Sequence, residues 1–349
     1  MKNPDLLFLI LTILFFPGVK AQSPWTRLSA VPQENTLNCI QKIPGTGKLI
    51  AVGEGSTVMI SEDAGESWQL ILNPAGKNNE YICKGVLFID ESTGFINGGN
   101  ETILKTTDGG YTWSLKYAGN NSYEGQCIND IAFVDEMHGF ATGSEGQLFE
   151  TNDAGETWLP LVSGTTFTLG QIEFANSLTG FITCSSYQLL KTTDGGNNWS
   201  VLNFPMGLPD INITDMCFIS DSIGFISGIT EDQTLLFRTS DMGITWDQVY
   251  SSWKISYGGK FVFFNELSGF FALPTVVEYA TVIITTDDGG ITWTENYPYF
   301  LSSLDTYSLC AFDQNTVISV GAYGAIQKST NGGTSWEPKY DNIFGGAVY

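Results

Sequence analysis

The stretch TTDGGYTW, residues 106–113, decides the fold because the chain repeats it seven times. In each copy an acidic, glycine-rich turn runs into a tryptophan, and successive tryptophans lie 41 to 47 residues apart. The other copies are SEDAGESW (61–68), TNDAGETW (151–158), TTDGGNNW (192–199), TSDMGITW (239–246), TDDGGITW (286–293) and STNGGTSW (329–336). Such a period is typical of radially arranged four-stranded sheets, because one sheet cannot bury both faces without neighbours. The sequence therefore predicts an all-β, seven-bladed β-propeller.

A second motif lies upstream of the box: an apolar strand ending in Phe, five variable residues, and then Gly-Phe. It ends at Phe95, Phe140, Phe181, Phe225 and Phe270, and degenerate versions lie around Ile43 and Phe312. One repeat, or blade, then consists of an inner strand a, a tight turn, strand b with its Gly-Phe, a loop, strand c, the box turn, and strand d opening on the Trp. We number the blades 1 to 7 in chain order.

The boxes are predicted to be structural. Their Asp accepts hydrogen bonds from its own turn, the glycines supply positive φ, and the Trp packs between sheets. A calcium or catalytic array is the alternative, but carboxylates in Gly turns usually serve the backbone, and in the last box an amide oxygen can cap the turn equally well. The residues given this role are Asp63, Trp68, Asp108, Trp113, Asp153, Trp158, Asp194, Trp199, Asp241, Trp246, Asp288, Trp293, Asn331 and Trp336.

The N-terminus has the pattern of a signal peptide. Residues 6–16 are an apolar run behind Lys2, and residues 19–21 form a small-x-small cleavage site. We expect residues 1–21 to be removed, residues 22–349 to form the propeller, and the protein to be secreted or periplasmic without inserting into a membrane. Trp25 keeps the period and predicts a stray strand d that closes the ring, either in place of the strand after Trp336 or outside it.

Composition limits the partners. The formal net charge is −22, with 15 basic and 37 acidic side chains, so nucleic acid is not expected to bind. The six cysteines occur without a Cys-x-x-Cys pair and His138 is the single histidine, which leaves no ligand set for structural zinc. We expect no cofactor, a monomer, and mainly buried free thiols, with one disulfide between neighbouring blades left open.

The box S/T-x-D-x-G-x-T-W is the Asp-box, or BNR, repeat. Its alternation with Phe-x5-Gly-Phe resembles the propeller of the photosystem II stability/assembly factor family over about residues 25–340. The resemblance implies a non-catalytic role in binding a membrane-protein precursor, and in that family a basic surface patch is implicated in partner binding. This arginine-poor chain departs from the family there. The repeat is similar, more distantly, to parts of sialidases, xyloglucan-cleaving glucanases and sortilin-type receptors.

Sialidase activity is not expected. The resemblance to sialidases implies a substrate carboxylate held by three arginines, whereas this chain contains only Arg27 and Arg238. Xyloglucan-type enzymes close a cleft between two propellers, and this chain has residues for one.

The variable loops are the first candidate binding surface. The a–b and box turns are short and uniform on one face, whereas the b–c and d–a connections vary on the other. Aromatic side chains in the variable connections suit a protein or glycan partner, although many such rings pack between blades instead. The d–a residues assigned to ligand binding are Tyr123, Trp253, Tyr257 and Tyr299.

The channel mouth is the second candidate. Aligned on the strand-a Phe, the position three residues earlier holds Gly85, Asp130, Gln171, Asp215 and Lys260 in blades 2 to 6, with Ile40 and Leu309 in the terminal blades. Asp130 and Asp215 could be the acid and base of a glycosidase, with Lys260 holding an anionic group. The competing interpretation is a polar channel lining with no further role.

The favoured hypothesis is an exported, non-enzymatic propeller that binds a protein or a glycan through its variable face. The alternative is a glycoside hydrolase acting on a polysaccharide with Asp130 and Asp215 as paired carboxylates.

Overall fold

The described residues of the computed structural model are 35–71, 82–119, 125–185, 187–202, 211–253, 259–275, 280–296 and 306–340. They form seven four-stranded antiparallel sheets, each built from one repeat with its strands in the order a, b, c, d. The predicted seven-bladed β-propeller is therefore confirmed. Its described helical segments are two 3₁₀ turns, Ser144–Gly146 and Ala322–Gly324. Neither these nor any other described segment forms a helix long and apolar enough to span a membrane.

The strand bounds follow the predicted order a, b, c, d in every blade. They are β1 Leu37–Lys42, β2 Leu49–Gly53, β3 Thr57–Ser61 and β4 Gln69–Leu70 in blade 1; β5 Cys83–Phe88, β6 Gly94–Gly98, β7 Thr102–Thr106 and β8 Ser114–Tyr117 in blade 2; β9 Ile128–Phe133, β10 Gly139–Gly143, β11 Gln147–Thr151 and β12 Leu159–Val162 in blade 3; β13 Leu169–Phe174, β14 Gly180–Cys184, β15 Gln188–Thr192 and β16 Ser200–Leu202 in blade 4; β17 Asn212–Phe218, β18 Gly224–Ile229, β19 Thr234–Thr239 and β20 Asp247–Ser252 in blade 5; β21 Lys260–Phe263, β22 Gly269–Thr275, β23 Ala280–Thr286 and β24 Thr294–Asn296 in blade 6; and β25 Thr306–Ala311, β26 Val317–Gly321, β27 Ile326–Ser329 and β28 Glu337–Tyr340 in blade 7.

Burial changes systematically from the inner to the outer strand of a blade. Strand b is covered on both faces by the neighbouring blades, and all five positions of β10 are buried. Strand d is the outer rim, and three of the four residues of β12 are exposed. Strand a alternates between buried positions and half-buried pairs, as in β9. The half-buried pairs belong to the innermost strand, and side chains there line the central channel.

The two sequence motifs meet between blades. Phe95 of the Gly-Phe in blade 2 stacks on Phe133 of strand a in blade 3, with ring centroids 4.7 Å apart, and contacts the box Trp158 edge-on at 6.4 Å. Gly155 of that box has φ +80°, and a Cβ on it would lie 2.3 Å from the Phe95 ring. Gly155 thus serves both the turn and the ring beside it. We call this three-ring contact the aromatic interlock; it recurs as Phe140 with Phe174 and Trp199, and as Phe225 with Phe263 and Trp293.

The ring closes where blade 7 packs on blade 1. Leu37, Leu49 and Ile318 belong to one buried cluster that spans the two blades. The Lys328 ammonium reaches across to Glu66 in the first box at 2.7 Å. An apolar contact and an ion pair therefore join the two ends of the repeat array.

Long basic side chains near the end of strand c link other pairs of blades in a similar way. Lys191 donates to the Met242 carbonyl of the next box at 2.7 Å, and the Arg238 Nε donates to the Gly289 carbonyl at 2.8 Å. Arg238 is therefore a link between blades. The outer strand of blade 7 is β28, directly after Trp336, so an N-terminal strand does not take that place; Trp25 lies outside the described residues.

Candidate functional site

The polar row predicted at the channel is present on the inner strands of neighbouring blades. Gln171, Asp215 and Lys260 line a cavity of about 390 Å³ bounded by strands a of blades 2 to 6. Asp130 occupies the same register position one blade before Gln171. We call this set of positions the channel row.

The channel row continues through Cys39 and Ser308 in blades 1 and 7, so the alignment on Ile40 and Leu309 was wrong by one residue. Each of the two pairs with the residue just before the glycine that ends strand b, as Asp130 does. In the terminal repeats the position equivalent to Phe133 holds Lys42 and Ala311, and the motif residues Ile43 and Phe312 follow one residue later. Ile40 and Leu309 point instead into the buried clusters between blades.

Four polar side chains of the channel row bond to the inner strand of the next blade, and Lys260 bonds back to Asp215 in the preceding one. Asp130 Oδ2 accepts the Ile172 N–H at 2.9 Å. The Gln171 amide spans Met216, accepting its N–H and donating to its carbonyl, both at 2.8 Å. At the ring closure the Ser308 hydroxyl accepts the Ile40 N–H at 3.3 Å, and between blades 5 and 6 an Asp215 oxygen accepts the Phe261 N–H at 2.7 Å. The row therefore joins inner strands that share no sheet.

Asp215 and Lys260 form an ion pair within the channel row. The two groups approach to 2.6 Å, while Asp215 is 2% exposed and the Lys260 side chain 41% exposed. Burial alone would lower the pKa of the Lys260 ammonium, but the Asp215 charge and hydrogen bond outweigh it and raise that pKa above its ordinary value. Asp215 thus keeps Lys260 in its cationic form, and part of the Lys260 side chain remains exposed.

The carboxylates proposed as an acid and base pair both bind the protein itself. Asp130 Oδ1 accepts its neighbouring Ile131 N–H at 2.9 Å, and its other oxygen is bonded to blade 4. Asp215 is bonded through both oxygens, to Lys260 and to blade 6. Burial raises the pKa of Asp130 to about 6, against the opposing hydrogen bonds. A substrate at either acid would have to replace bonds that hold blades together.

Glu173 is a channel residue that sequence reasoning missed. Its Oε1 accepts the Phe218 N–H of the next blade at 2.8 Å, and the residue lines the same cavity. Burial, followed by the charges of Asp215 and Asp130, raises its pKa to about 8. Its signal in the sequence was a Glu directly before the strand-a Phe, a position that is apolar in the next two blades.

The variable face exposes a group of aromatic rings along blades 4 to 7. Tyr187 and Tyr323 stand at b–c turns, and Trp253 and Tyr307 flank d–a connections. Tyr323 was missed, although GAYGA (321–325) aligns with GSEGQ (143–147), so its place at a turn tip was readable. The predicted ligand-binding residues Tyr123, Tyr257 and Tyr299 lie outside the described residues.

The box carboxylates bond within their own turns. In blade 3, Asp153 accepts the Thr157 N–H at 2.8 Å and the Thr157 hydroxyl at 2.7 Å. The Thr157 hydrogen bonds lower the pKa of Asp153 to about 2. In the last box the Asn331 oxygen accepts the Ser335 N–H at 2.9 Å, so an amide occupies the same geometry. Two indoles, those of Trp113 and Trp336, donate to a carbonyl of their own turn, Gly110 and Gly333 respectively.

The cysteines are all free, including the half-buried Cys39 and Cys217 on the inner strands. Burial raises the pKa of both thiols. Across the described ranges, no three His, Cys, Asp or Glu side chains are grouped so as to hold a metal ion.

Comparison with known proteins places this geometry among BNR propellers. Residues 120–211 match the family model described as photosynthesis system II assembly factor YCF48. No curated protein sequence matches the chain significantly. Among solved structures, a YCF48 bound to a D1 peptide is 18% identical, with a TM-score of 0.66, covering 86% of this chain and 95% of that one. YCF48 from Cyanidioschyzon merolae is also 18% identical, with a TM-score of 0.63, covering 86% of this chain and 96% of that one.

A xyloglucanase shares the fold as well. The GH74 xyloglucanase from Xanthomonas campestris is 12% identical with a TM-score of 0.68, over 89% of this chain but only 55% of that chain. At these identities the likeness concerns the fold. By its family-model match and its blade architecture, the chain is a BNR-repeat propeller that resembles the YCF48 assembly factors.

Proposed function

We propose that this chain is an exported, non-enzymatic propeller that binds a partner protein through its variable face. The observation that carries the proposal is the backbone of two exposed tyrosines. Tyr187 has φ +60° and Tyr323 has φ +54°, and the residues are 50% and 66% exposed. Bulky side chains rarely adopt this left-handed conformation.

Packing does not explain the choice of tyrosine at these turns. A left-handed residue with a Cβ costs roughly 1–2 kcal/mol relative to an unstrained one, and glycine would avoid that cost. The two residues are half and two-thirds exposed, so burial offsets only part of that cost. Strain that the fold does not require is a feature of functional turns.

The surroundings of the two tyrosines suit a protein interface. Trp253 and Tyr307 are also exposed on this face, so aromatic groups follow one another along blades 4 to 7. Exposed Tyr and Trp are the residues that most often anchor protein partners. A glycan that stacks on the same rings is the other occupant that this chemistry allows.

Two further observations support binding over catalysis. Both oxygens of Asp130 and of Asp215 are already hydrogen-bonded within the protein, and at least one bond of each carboxylate reaches the next blade. The structure of YCF48, a protein of similar fold, has been solved with a D1 peptide bound to it. This chain is expected to bind a different sequence, since it has only two arginines.

The test compares glycine substitutions at equivalent turns. Tyr187→Gly and Tyr323→Gly remove a ring and relieve the strain, whereas Glu145→Gly relieves the same strain at φ +55° in blade 3 without removing a ring. We expect all three variants to keep or raise the free energy of unfolding by up to about 1 kcal/mol. Partner proteins captured from extracts of the source cells should be retained by Glu145→Gly and lost by the double tyrosine variant.

Two results would contradict the proposal. If the double tyrosine variant captures the same partner proteins as the wild type, the two tyrosines of the variable face do not mediate binding. Binding of oligosaccharides from an array, with the same sensitivity to the tyrosines and no protein captured, would identify a glycan-binding protein instead. Export has its own measurement: N-terminal sequencing of the native protein should begin near Gln22.

A further inference from the structure

The face opposite the variable one carries exposed aliphatic side chains on consecutive blades. This box face consists of the a–b turns and the box turns, which are hydrogen-bonded to each other within a blade, as in the Gly289 N–H to Leu267 carbonyl bond. On blades 3 to 6, six apolar residues of these turns are between 38% and 67% exposed. We call them the aliphatic arc: Met137, Leu178, Met242, Ile244, Leu267 and Ile291.

Other tips of the same turns are polar, including Glu156, Asn197 and Ser222 within blades 3 to 6, so the fold does not require apolar groups there. The a–b tips are Ser92 in blade 2 and Asn315 in blade 7, and the box tips are Glu66 in blade 1 and Thr334 in blade 7. Tyr111 occupies the box tip of blade 2, but its hydroxyl is hydrogen-bonded to Glu62. Comparison of the repeats shows that the same turn forms with either a polar or an apolar residue at its tip.

Met242 adopts a strained backbone conformation that the turn does not require. It has φ +58° at the box position where four other blades have glycine and the remaining two have alanine. A long side chain in the left-handed region is strained, and Met242 does not bury itself in return, being 38% exposed. Flexible methionines are common on surfaces that adapt to a binding partner.

The charge around the aliphatic arc is strongly negative. The a–b and box turns of blades 3 to 6 carry ten carboxylates, of which Glu156 is ion-paired with Lys105 and Lys116. The other nine are Asp135, Glu136, Asp153, Asp194, Asp221, Asp241, Glu266, Asp287 and Asp288. Hydrogen bonds from Asn198 and Thr245 hold the pKa values of Asp194 and Asp241 below their usual range, so both are ionised at physiological pH. The cations Lys191 and Arg238 are bonded to box carbonyls of the next blade. The surface thus combines apolar tips with an excess of negative charge.

We propose that the aliphatic arc is a docking surface for a basic amphipathic segment of a partner protein. Such a segment places apolar side chains on one stripe and Lys or Arg beside it, which matches the alternation of aliphatic tips and carboxylates along the arc. A second copy of this chain would bring like charges together, and an anionic lipid surface would be repelled. The site is independent of the variable face and lies on the opposite side of the blades.

The probe is a synthetic Lys/Leu peptide of about 18 residues with its leucines at helical spacing. The variants take the residues that polar blades already use at the same positions: Leu178→Ser and Leu267→Ser follow blade 2, and Ile244→Thr and Ile291→Thr follow blade 7. Because these side chains are exposed, each variant should keep the melting temperature of the wild type. Calorimetry should show the fourfold variant binding the peptide about tenfold more weakly than the wild type.

Three controls keep the proposal falsifiable. Met242→Gly should weaken peptide binding while preserving or raising stability, and Tyr187→Gly with Tyr323→Gly should leave it unchanged, which separates this surface from the one in the proposed function. An all-Lys peptide of equal charge should bind more weakly and lose most of its affinity in high salt.

Equal binding of the all-Lys peptide, or unchanged Lys/Leu binding in the fourfold variant, would overturn the proposal. A wild type that sediments as a dimer and dissociates in the fourfold variant would also overturn it, in favour of self-association.

Discussion

The aromatic interlock and the channel row join the same neighbouring blades by different means. The interlock uses nearly the same residues in each blade, whereas the row changes from Asp130 to Gln171 to Asp215 and Lys260. Steric fit explains the first: a Cβ on Gly290 would lie 2.1 Å from the Phe225 ring, so few shapes are allowed. Hydrogen bonding explains the second, because many side chains can satisfy one inner-strand N–H. Uniform residues therefore mark packing, and variable residues can mark an equally structural contact.

The largest expected effect tests the interlock against the row. Phe225→Ala removes a fully buried ring that stacks on Phe263 and contacts Trp293, and should lower the free energy of unfolding by about 3–5 kcal/mol. Gln171→Ala removes two hydrogen bonds to Met216 and should cost about 1–2 kcal/mol. Chemical denaturation measures both. If both variants lose the same free energy of unfolding, the distinction between the sterically fixed interlock and the replaceable hydrogen bonds of the row is refuted.

The ion pair offers a second test, within the row. Asp215→Asn leaves the Lys260 ammonium without its counter-charge and should destabilise the fold by about 2 kcal/mol, less than for a fully buried pair because Lys260 is partly exposed. Adding Lys260→Met should restore most of this loss, since Gln171 shows that a neutral side chain can bond the next blade. A double variant no more stable than the single one would mean that the charge itself is required. Neither protein is expected to hydrolyse polysaccharides.

Glu173 sharpens the comparison through pH. Its pKa is raised to about 8 in the folded protein, so the stability it contributes is complete below its ordinary value of 4.5 and is lost as pH rises through about 8. Glu173→Gln keeps the acceptor for the Phe218 N–H and removes the titration. The variant should be more stable than the wild type by about 2 kcal/mol at pH 7, with the gap closing below pH 4.5. A gap that does not change with pH would exclude this cause.

The smallest effect concerns a box turn. Thr157→Val removes the hydroxyl that bonds Asp153, and the pKa of that carboxyl should rise from about 2 towards its ordinary value of 3.8. NMR titration of the Asp153 carboxyl measures the shift, with Asp194 in the next blade as an unchanged internal reference. Stability that depends on Asp153 is present above pH 3.8 and is lost as pH falls towards 2. An unaltered pKa would show that the backbone N–H bonds are sufficient.

Much of the fold could be predicted because the same strand and turn pattern recurs in seven repeats. The period gave the blade number, and the place of Trp at the start of strand d followed from its box. The partners of the motif residues could not be read, because Phe95 meets Trp158 across a blade boundary that local pattern does not reveal. Alignment of the repeats found the channel row, and it failed only at Ile40 and Leu309, where the motif residue lies one position later than in the other blades. The bonding of Asp130 and Asp215 required coordinates, since sequence spacing does not say which oxygen meets which N–H.

The link from Lys328 to Glu66 has a consequence for the order of folding. It joins residues 262 apart, whereas the equivalent link from Lys105 to Glu156 joins residues only 51 apart. Bringing distant chain segments together loses more configurational freedom, by about 1.4 kcal/mol for this ratio of lengths. The seam between the first and last blades is therefore expected to form after the others during folding, and to open first when the ring is pulled or heated.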